Sequence, residues 1–260
     1  LCRCTGYRPI ADAAHAALSR PREEDPLIAD MLECLSRLDT HEALDFDFTC
    51  ERRGGLRYSA PQSVEVLVTL LASSPEATLL AGGTDVGLWV TKQHRRLGHV
   101  IDLTKVSELQ VIRDGADQVV IGAGVTYSEA RAVLAAHFPD FDPLIARIAS
   151  EPGRNSGTIG GNIANGSPIG DTPPALIALG AQIVLASPRG ERRMALEDFF
   201  LAYGKQDRAP DEVLVRIEVP KLKPGASFRT FKISKRFDQD ISALCGAFHA
   251  ELRDGLLSNV

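Results

Sequence analysis

Leu79-Leu-Ala-Gly-Gly-Thr-Asp-Val86 and Thr158-Ile-Gly-Gly-Asn-Ile-Ala-Asn-Gly-Ser-Pro-Ile-Gly-Asp171 are the two stretches from which this chain is best read. The first closes an apolar run, Thr78-Leu-Leu-Ala81, that predicts a short strand. Paired glycines let the backbone take positive φ and let a ligand approach the main chain closely. Successive N–H groups in such a turn form a concavity that binds anions, and Thr84, Thr158 and Ser167 add hydroxyls. Neither loop contains Lys or Arg. A diphosphate held there would be solvated by backbone amides, leaving Asp85 and Asp171 to bond ribose hydroxyls or to fix the loop. A Gly-Gly step is most often only a tight turn, and Gly122-Ala-Gly124 is read that way. No Walker motif is present, and no G-x-G-x-x-G sits between a strand and a helix, which argues against a Rossmann site.

Outward from these loops, Val64, Leu67, Leu70 and Leu71 mark one helical face, with Ser63 as a possible cap. Val100–Leu103, Gln118–Gly122 and Ala181–Ala186 predict strands; Tyr127–His137 and Pro143–Ser150 predict helices. Val213, Val215, Ile217 and Val219 alternate with Leu214, Arg216 and Glu218 as in a half-buried strand, which Pro220 ends. Residues 19–57 lose regularity and read as a linker with one short helix over Leu27–Leu38. Helices and strands mix without a steady βαβ repeat, so the expected class is α+β.

With 260 residues the chain can bury a sizeable core, and 44% hydrophobic and 24% charged residues are ordinary for a soluble globular protein. A net charge of −5 argues against a nucleic-acid or anionic-membrane partner. No apolar run approaches the roughly 20 residues that span a bilayer. Five cysteines at irregular spacing do not read as a disulfide framework, so a cytoplasmic location is expected. The six histidines show no ligand spacing, and no side chain is expected to act as a catalytic acid or base.

Leu1-Cys-Arg-Cys-Thr-Gly-Tyr-Arg-Pro-Ile10 places Cys2 and Cys4 one residue apart, suited to two ligands of one metal centre rather than to a disulfide. A [2Fe–2S] centre takes four thiolates, so the partner cysteines are expected on a segment upstream of Leu1. The string resembles the close of the second [2Fe–2S] domain of the molybdenum hydroxylases, the family of xanthine dehydrogenase and aldehyde oxidase. The resemblance extends along the chain. Ala77–Val90 looks like the first FAD loop of that family, and Gly157–Leu185 looks like the second. Leu196–Tyr203 and Glu212–Pro220 resemble the segment leading to the next domain, and Phe231–Ser242 the loop that passes near the flavin ring. The Asn165–Asp171 run is closer to xanthine dehydrogenases than to the carbon monoxide dehydrogenase branch.

The resemblance implies a vanillyl-alcohol-oxidase-like FAD-binding fold of two subdomains, preceded by the end of an all-α [2Fe–2S] domain. Its implied limits are residues 1–20 for the iron–sulfur remnant, 21–55 for the linker, 56–225 for the FAD domain and 226–260 for the start of a C-terminal flavoprotein subdomain. Carried over residue by residue, it puts the FAD contacts on Leu79, Leu80, Ala81, Gly82, Gly83, Thr84, Asp85, Val86, Ile148, Thr158, Gly161, Asn162, Ser167, Asp171, Leu214 and Lys232. Cys2 and Cys4 become the metal ligands. Ile148 stands where some members have an aromatic, and Lys232 is the one cationic candidate. The implied role is the flavin and iron–sulfur subunit of a xanthine dehydrogenase-like enzyme. A molybdopterin-binding large subunit is the implied partner, in a heterotetramer or higher dimer of heterodimers. Electrons would run from molybdenum through [2Fe–2S] clusters to FAD and on to NAD+ during purine oxidation. Rival readings are the flavin subunit of an aldehyde oxidase or another molybdenum hydroxylase, a self-contained flavin oxidase, and a non-enzymatic FAD electron-transfer subunit.

No His or Cys lies in either glycine loop to bond a flavin covalently. Acid precipitation of the flavin-loaded protein is therefore expected to release all of the yellow colour. Colour retained in the pellet would show a covalent link.

Overall fold

The computed structural model describes residues 6–21, 25, 27–38, 43–50, 54–237, 239–253 and 256–259, so Cys2 and Cys4 lie outside the described residues. The chain divides into two units, Leu1–Glu42 and Ala43–Val260. The first holds α1 (Tyr7–Leu18) and α2 (Leu27–Leu38). The N–H of Leu27 donates to the Asp25 carboxylate at 3.0 Å, which helps to start α2. The apolar side chains of α2, from Leu27 to Leu38, are exposed.

The second unit opens with a hairpin of β1 (Leu44–Cys50) and β2 (Gly54–Ala60). Leu44, Phe46 and Phe48 alternate with Asp45, Asp47 and Thr49, a period-2 pattern within the stretch expected to be linker. That expectation ran to residue 55, whereas β1 belongs to the sheet. Arg57 forks onto Asp45, with Nε and Nη2 donating at 3.1 and 2.9 Å, and so ties the hairpin across its strands. Next comes α3 (Val64–Ser73), capped by Ser63, whose Oγ accepts from the Val66 N–H. After β3 (Thr78–Leu80), α4 (Val86–Thr91) and β4 (His99–Asp102), the strands assemble in the order β1-β2-β4-β3, with β4 parallel to both β2 and β3.

The chain then forms β5 (Ile112–Asp114), β6 (Gln118–Gly122) and α5 (Tyr127–His137), whose Thr126 and Glu129 make a reciprocal capping box. Four short helices follow: α6 (Phe141–Ala146), α7 (Glu151–Ser156), α8 (Ile159–Asn165) and α9 (Thr172–Ala178). After them come β7 (Gln182–Ser187), β8 (Gly190–Ala195), β9 (Phe200–Ala202), β10 (Lys205–Gln206) and β11 (Val213–Pro220). Strand β11 inserts between β6 and β7 in an antiparallel sheet ordered β5-β6-β11-β7-β8. The last strands, β12 (Ala226–Ser234), β13 (Ser242–Arg253) and β14 (Leu256–Asn259), form an antiparallel sheet of their own. The fold is mixed α/β, with its parallel pairing in the sheet nearest the first glycine loop.

One continuous core holds the unit together. Leu67 and Leu71 of α3, Leu134 of α5, and Ile159 and Ile163 of α8 meet Ile101 of β4, Ile121 of β6 and Ile217 of β11, all at most 1% exposed. Burying each such aliphatic side chain is worth about 1.5–3 kcal/mol. The helix expected on Val64–Leu71, the helix on Tyr127–His137 and the strand on Gln118–Gly122 are present. The half-buried pattern expected for β11 is different in detail. Glu218 and Glu212 are only 6% and 5% exposed, and each is covered by partly exposed arginines. Arg192 holds the Glu212 carboxylate with Nε at 2.7 Å and Nη2 at 2.9 Å, and Arg193 and Arg216 converge on Glu218.

The Arg192 hydrogen bonds hold the Glu212 carboxyl below the usual carboxylate range. A group lowered in the folded state stabilises above its unfolded pKa, about 4.3 for Glu. That contribution is lost as pH falls through the lower folded value. The melting temperature is therefore expected to fall as pH drops below about 4. Glu212→Gln should be less stable at neutral pH and should show a smaller acid-induced fall. An identical pH profile in the variant, measured by thermal melts, would rule out this origin.

Candidate functional site

The two glycine loops meet. Gly82 follows β3, and a Cβ built on it would lie 1.8 Å from the Ser156 carbonyl oxygen and 3.0 Å from Gly157 Cα. Nothing but glycine fits there, because the obstacle is backbone rather than a side chain that could move. Gly83 next takes φ +69°, which L residues other than glycine rarely adopt. Asn165, the last residue of α8, donates from Nδ2 to the Asp85 carboxylate at 3.2 Å. Gln206 of β10 in turn donates to the Ala164 carbonyl at 3.2 Å. Strand β3, helix α8 and strand β10 are thereby joined around one cleft of about 430 Å³.

The two loops use their amides differently. Among the described residues, the N–H groups of Gly82, Gly83, Thr84, Asp85 and Val86 make no hydrogen bond within the chain. All five residues line the cleft. In the second loop, by contrast, Ile159 N–H donates to Val125 O at 2.9 Å, Gly160 N–H to Ala123 O at 3.1 Å and Gly161 N–H to Thr158 Oγ1 at 3.0 Å. The stretch expected to be a loop here is partly helix α8, capped by Thr158. Its glycines serve packing: a Cβ on Gly160 would lie 2.4 Å from the Ala123 Cβ. The first loop holds the longer consecutive run of unpaired donors suited to an anion.

Of the residues singled out from the sequence, Leu79, Ala81, Gly82, Gly83, Thr84, Asp85, Val86, Thr158, Gly161, Asn162 and Leu214 line the cleft. Leu80, Ile148, Ser167, Asp171 and Lys232 are not on its walls. The Leu80 carbonyl accepts from Leu103 N–H at 2.8 Å within the sheet. Ile148 packs against the core, and the Ser167 Oγ accepts from Ile169 N–H at 3.4 Å. Asp171 and Lys232 bond each other. The Lys232 ammonium donates to Asp171 Oδ2 at 2.5 Å, the Ser242 hydroxyl donates to Oδ1, and the Lys232 and Asp171 side chains are 4% and 6% exposed. This pair fastens the sheet of β12 and β13 to the start of α9. A ligand contact from either carboxylate oxygen of Asp171 would share an atom already engaged.

Among the wall residues outside the sequence-derived set are Trp89, Tyr127, Gln206 and Arg208. Trp89 falls within the stretch Ala77–Val90, whereas Tyr127, Gln206 and Arg208 come from segments with no motif of their own. Tyr127 is buried, its phenol oxygen 3.4 Å from Thr172 Oγ1, and desolvation pushes its pKa well above the ordinary phenol value. Trp89 carries Arg95 over its ring at 5.0 Å.

Residues 51–222 match a family model described as the FAD-binding domain in molybdopterin dehydrogenase. A putative xanthine dehydrogenase FAD-binding subunit of Escherichia coli K12 is 32% identical over 219 residues, which is 83% of this chain and 73% of that protein. The solved structure of a carbon monoxide dehydrogenase from Hydrogenophaga pseudoflava, lacking the Mo-pyranopterin moiety of its cofactor, superposes with a TM-score of 0.73 at 32% identity. The match covers 78% of this chain and 71% of that one. The xanthine dehydrogenase of Drosophila subobscura is 27% identical over 95% of this chain, but the match spans only 22% of its length.

The apposition of the loops yields a direct comparison. Gly82→Ala drives a Cβ into fixed backbone and is expected to cost about 1–3 kcal/mol. Gly161→Ala meets only the Thr158 hydroxyl, at 2.7 Å, so its cost is that of a disturbed cap, about 0.5–2 kcal/mol. Thermal or denaturant unfolding should rank Gly82→Ala the less stable. The reverse order would mean that the loops are not in contact.

Proposed function

The chain belongs to the family of FAD-binding domains of molybdopterin dehydrogenases, and we propose that its cleft holds FAD with the diphosphate on the loop Gly82–Val86. The observation that carries this reading is the run of five unpartnered N–H groups on the cleft wall. Backbone donors with no partner are costly to desolvate and well suited to an anion. Gly82 keeps that backbone pressed to Ser156 and Gly157, and Asn165 holds the Asp85 carboxylate aside. Thr84 is free to add a hydroxyl. Apolar Leu79, Leu103, Val213 and Leu214 line the cleft beside these donors, a surface for the rings of a dinucleotide.

When bound, FAD supplies the redox chemistry by taking up and passing on electrons. This chain's part is to bind the group, to orient it and to shield it from water. The vanillyl-alcohol-oxidase-like description of the fold belongs to the same proposal. So do the domain limits at residues 1–20, 21–55, 56–225 and 226–260, with β1 as the exception inside the second.

The wider assembly proposed is a molybdenum hydroxylase of xanthine dehydrogenase type. Its molybdopterin lies on a partner subunit, Cys2 and Cys4 contribute to a [2Fe–2S] cluster, and NAD+ is the acceptor. The kinship with xanthine dehydrogenase flavin subunits and the Cys2-Arg-Cys4 step support this reading. A flavin subunit serving another oxidation, as in the carbon monoxide dehydrogenase relative, is the second reading. Among the described residues no helix is long and apolar enough to cross a membrane.

The protein is expected to bind one FAD per chain, read by quenching of flavin fluorescence. At FAD about 100 times its Kd, the folded state should gain about 2.7 kcal/mol, visible as a rise in melting temperature. Absence of both effects would overturn the cofactor assignment. Xanthine-dependent flavin reduction in the assembled complex tests the xanthine reading separately from FAD binding.

A further inference from the structure

The corner formed by β8, β10 and β11 is crowded with arginines, and all but one are neutralised. Arg189 pairs with Asp211, Arg192 with Asp207 and Glu212, Arg193 with Glu218, and Arg216 with Glu191 and Glu218. Arg208 alone of this group has no carboxylate within ion-pair distance among the described residues. Its Nη1 donates to the Glu212 carbonyl at 2.7 Å, while the Glu212 carboxylate is taken by Arg192 and by the Ala209 N–H. The side chain is part of the cleft wall that also carries Gly82–Val86. The only other charged residue on that wall, among those described, is Asp85, and its carboxylate is held by Asn165. The residue as a whole is exposed, yet enough protein surrounds the guanidinium for desolvation to lower its pKa.

An arginine with no carboxylate partner on the cleft wall has its charge available to an anionic ligand. Guanidinium presents donors in a planar fork that matches phosphate oxygens, and the single bond to the Glu212 carbonyl leaves most of that fork free. Sequence reading assigned the cationic role to Lys232, but that ammonium is spent on Asp171.

We propose that Arg208 is the cationic partner of the cofactor diphosphate, facing the unpaired amides of Gly82–Val86 across the cleft. This assignment rests on the cleft being the FAD site. It makes the anion site two-sided, with uncharged backbone donors on one wall and a single positive charge on the other.

The test is FAD titration of the flavin-free full-length protein, its Arg208→Gln and Arg208→Lys variants, and the parent at two salt concentrations. The Gln variant should bind FAD about 10–100-fold more weakly, as expected for loss of a charge-assisted hydrogen bond. The Lys variant should recover part of that loss, and the weakening of FAD binding by salt should be smaller in the Gln variant than in the parent. Melting of the flavin-free proteins controls for folding. If the parent binds FAD and the Gln variant binds it equally well, Arg208 has no such role. If affinity falls equally in both variants and tracks a fall in the flavin-free melting temperature, Arg208 is structural and the proposal fails. A parent that binds no FAD at all would instead overturn the cofactor assignment beneath it.

Discussion

Everything near the cleft depends on two backbones being closer than any side chain allows. With Ser156 O only 1.8 Å from where a Cβ on Gly82 would sit, the residue after β3 and the end of α7 are in direct backbone contact. The approach is set by hard-sphere contact, not by a network of weak bonds.

The two glycine-rich stretches therefore divide the labour. The second is architecture: its glycines let α8 lie against Ala123, and its first N–H groups are consumed by Val125, Ala123 and Thr158. The first has free donors and a left-handed residue, Gly83, on the cleft wall. Their similarity in composition hides this difference. Glycine serves close packing and ligand approach for one reason, the missing Cβ, and sequence does not say which of the two a given pair serves.

Much of the fold was legible because its period was. Val64, Leu67 and Leu71 mark α3 without ambiguity, and the helix expected over Tyr127–His137 is α5. The cleft was legible where neighbouring residues build it, at Leu79 and from Ala81 to Val86. It was not legible where remote chain supplies one residue at a time, as with Tyr127, Gln206 and Arg208. Strand β1 was missed because its alternation is short and sits between charged, irregular flanks. Helix α8 was missed because its Gly-Gly-Asn composition is poor in helix formers, and tertiary contacts override that preference. The pairing of Asp171 with Lys232 joins positions 61 residues apart, and neither flank hints at the other.

That pair has a consequence for how the protein comes to exist. When Asp171 leaves the ribosome, its partner is not yet made, and the start of α9 has nothing to neutralise a carboxylate that ends up buried. Only after β12 and β13 emerge, bringing Lys232 and Ser242, can this edge of the unit close. The part of the chain that ends before β12 thus carries both glycine loops and their mutual contacts but not the partners of Asp171. The pairing of α9 with the last sheet is a late event in synthesis, although every residue of the cleft wall precedes residue 215.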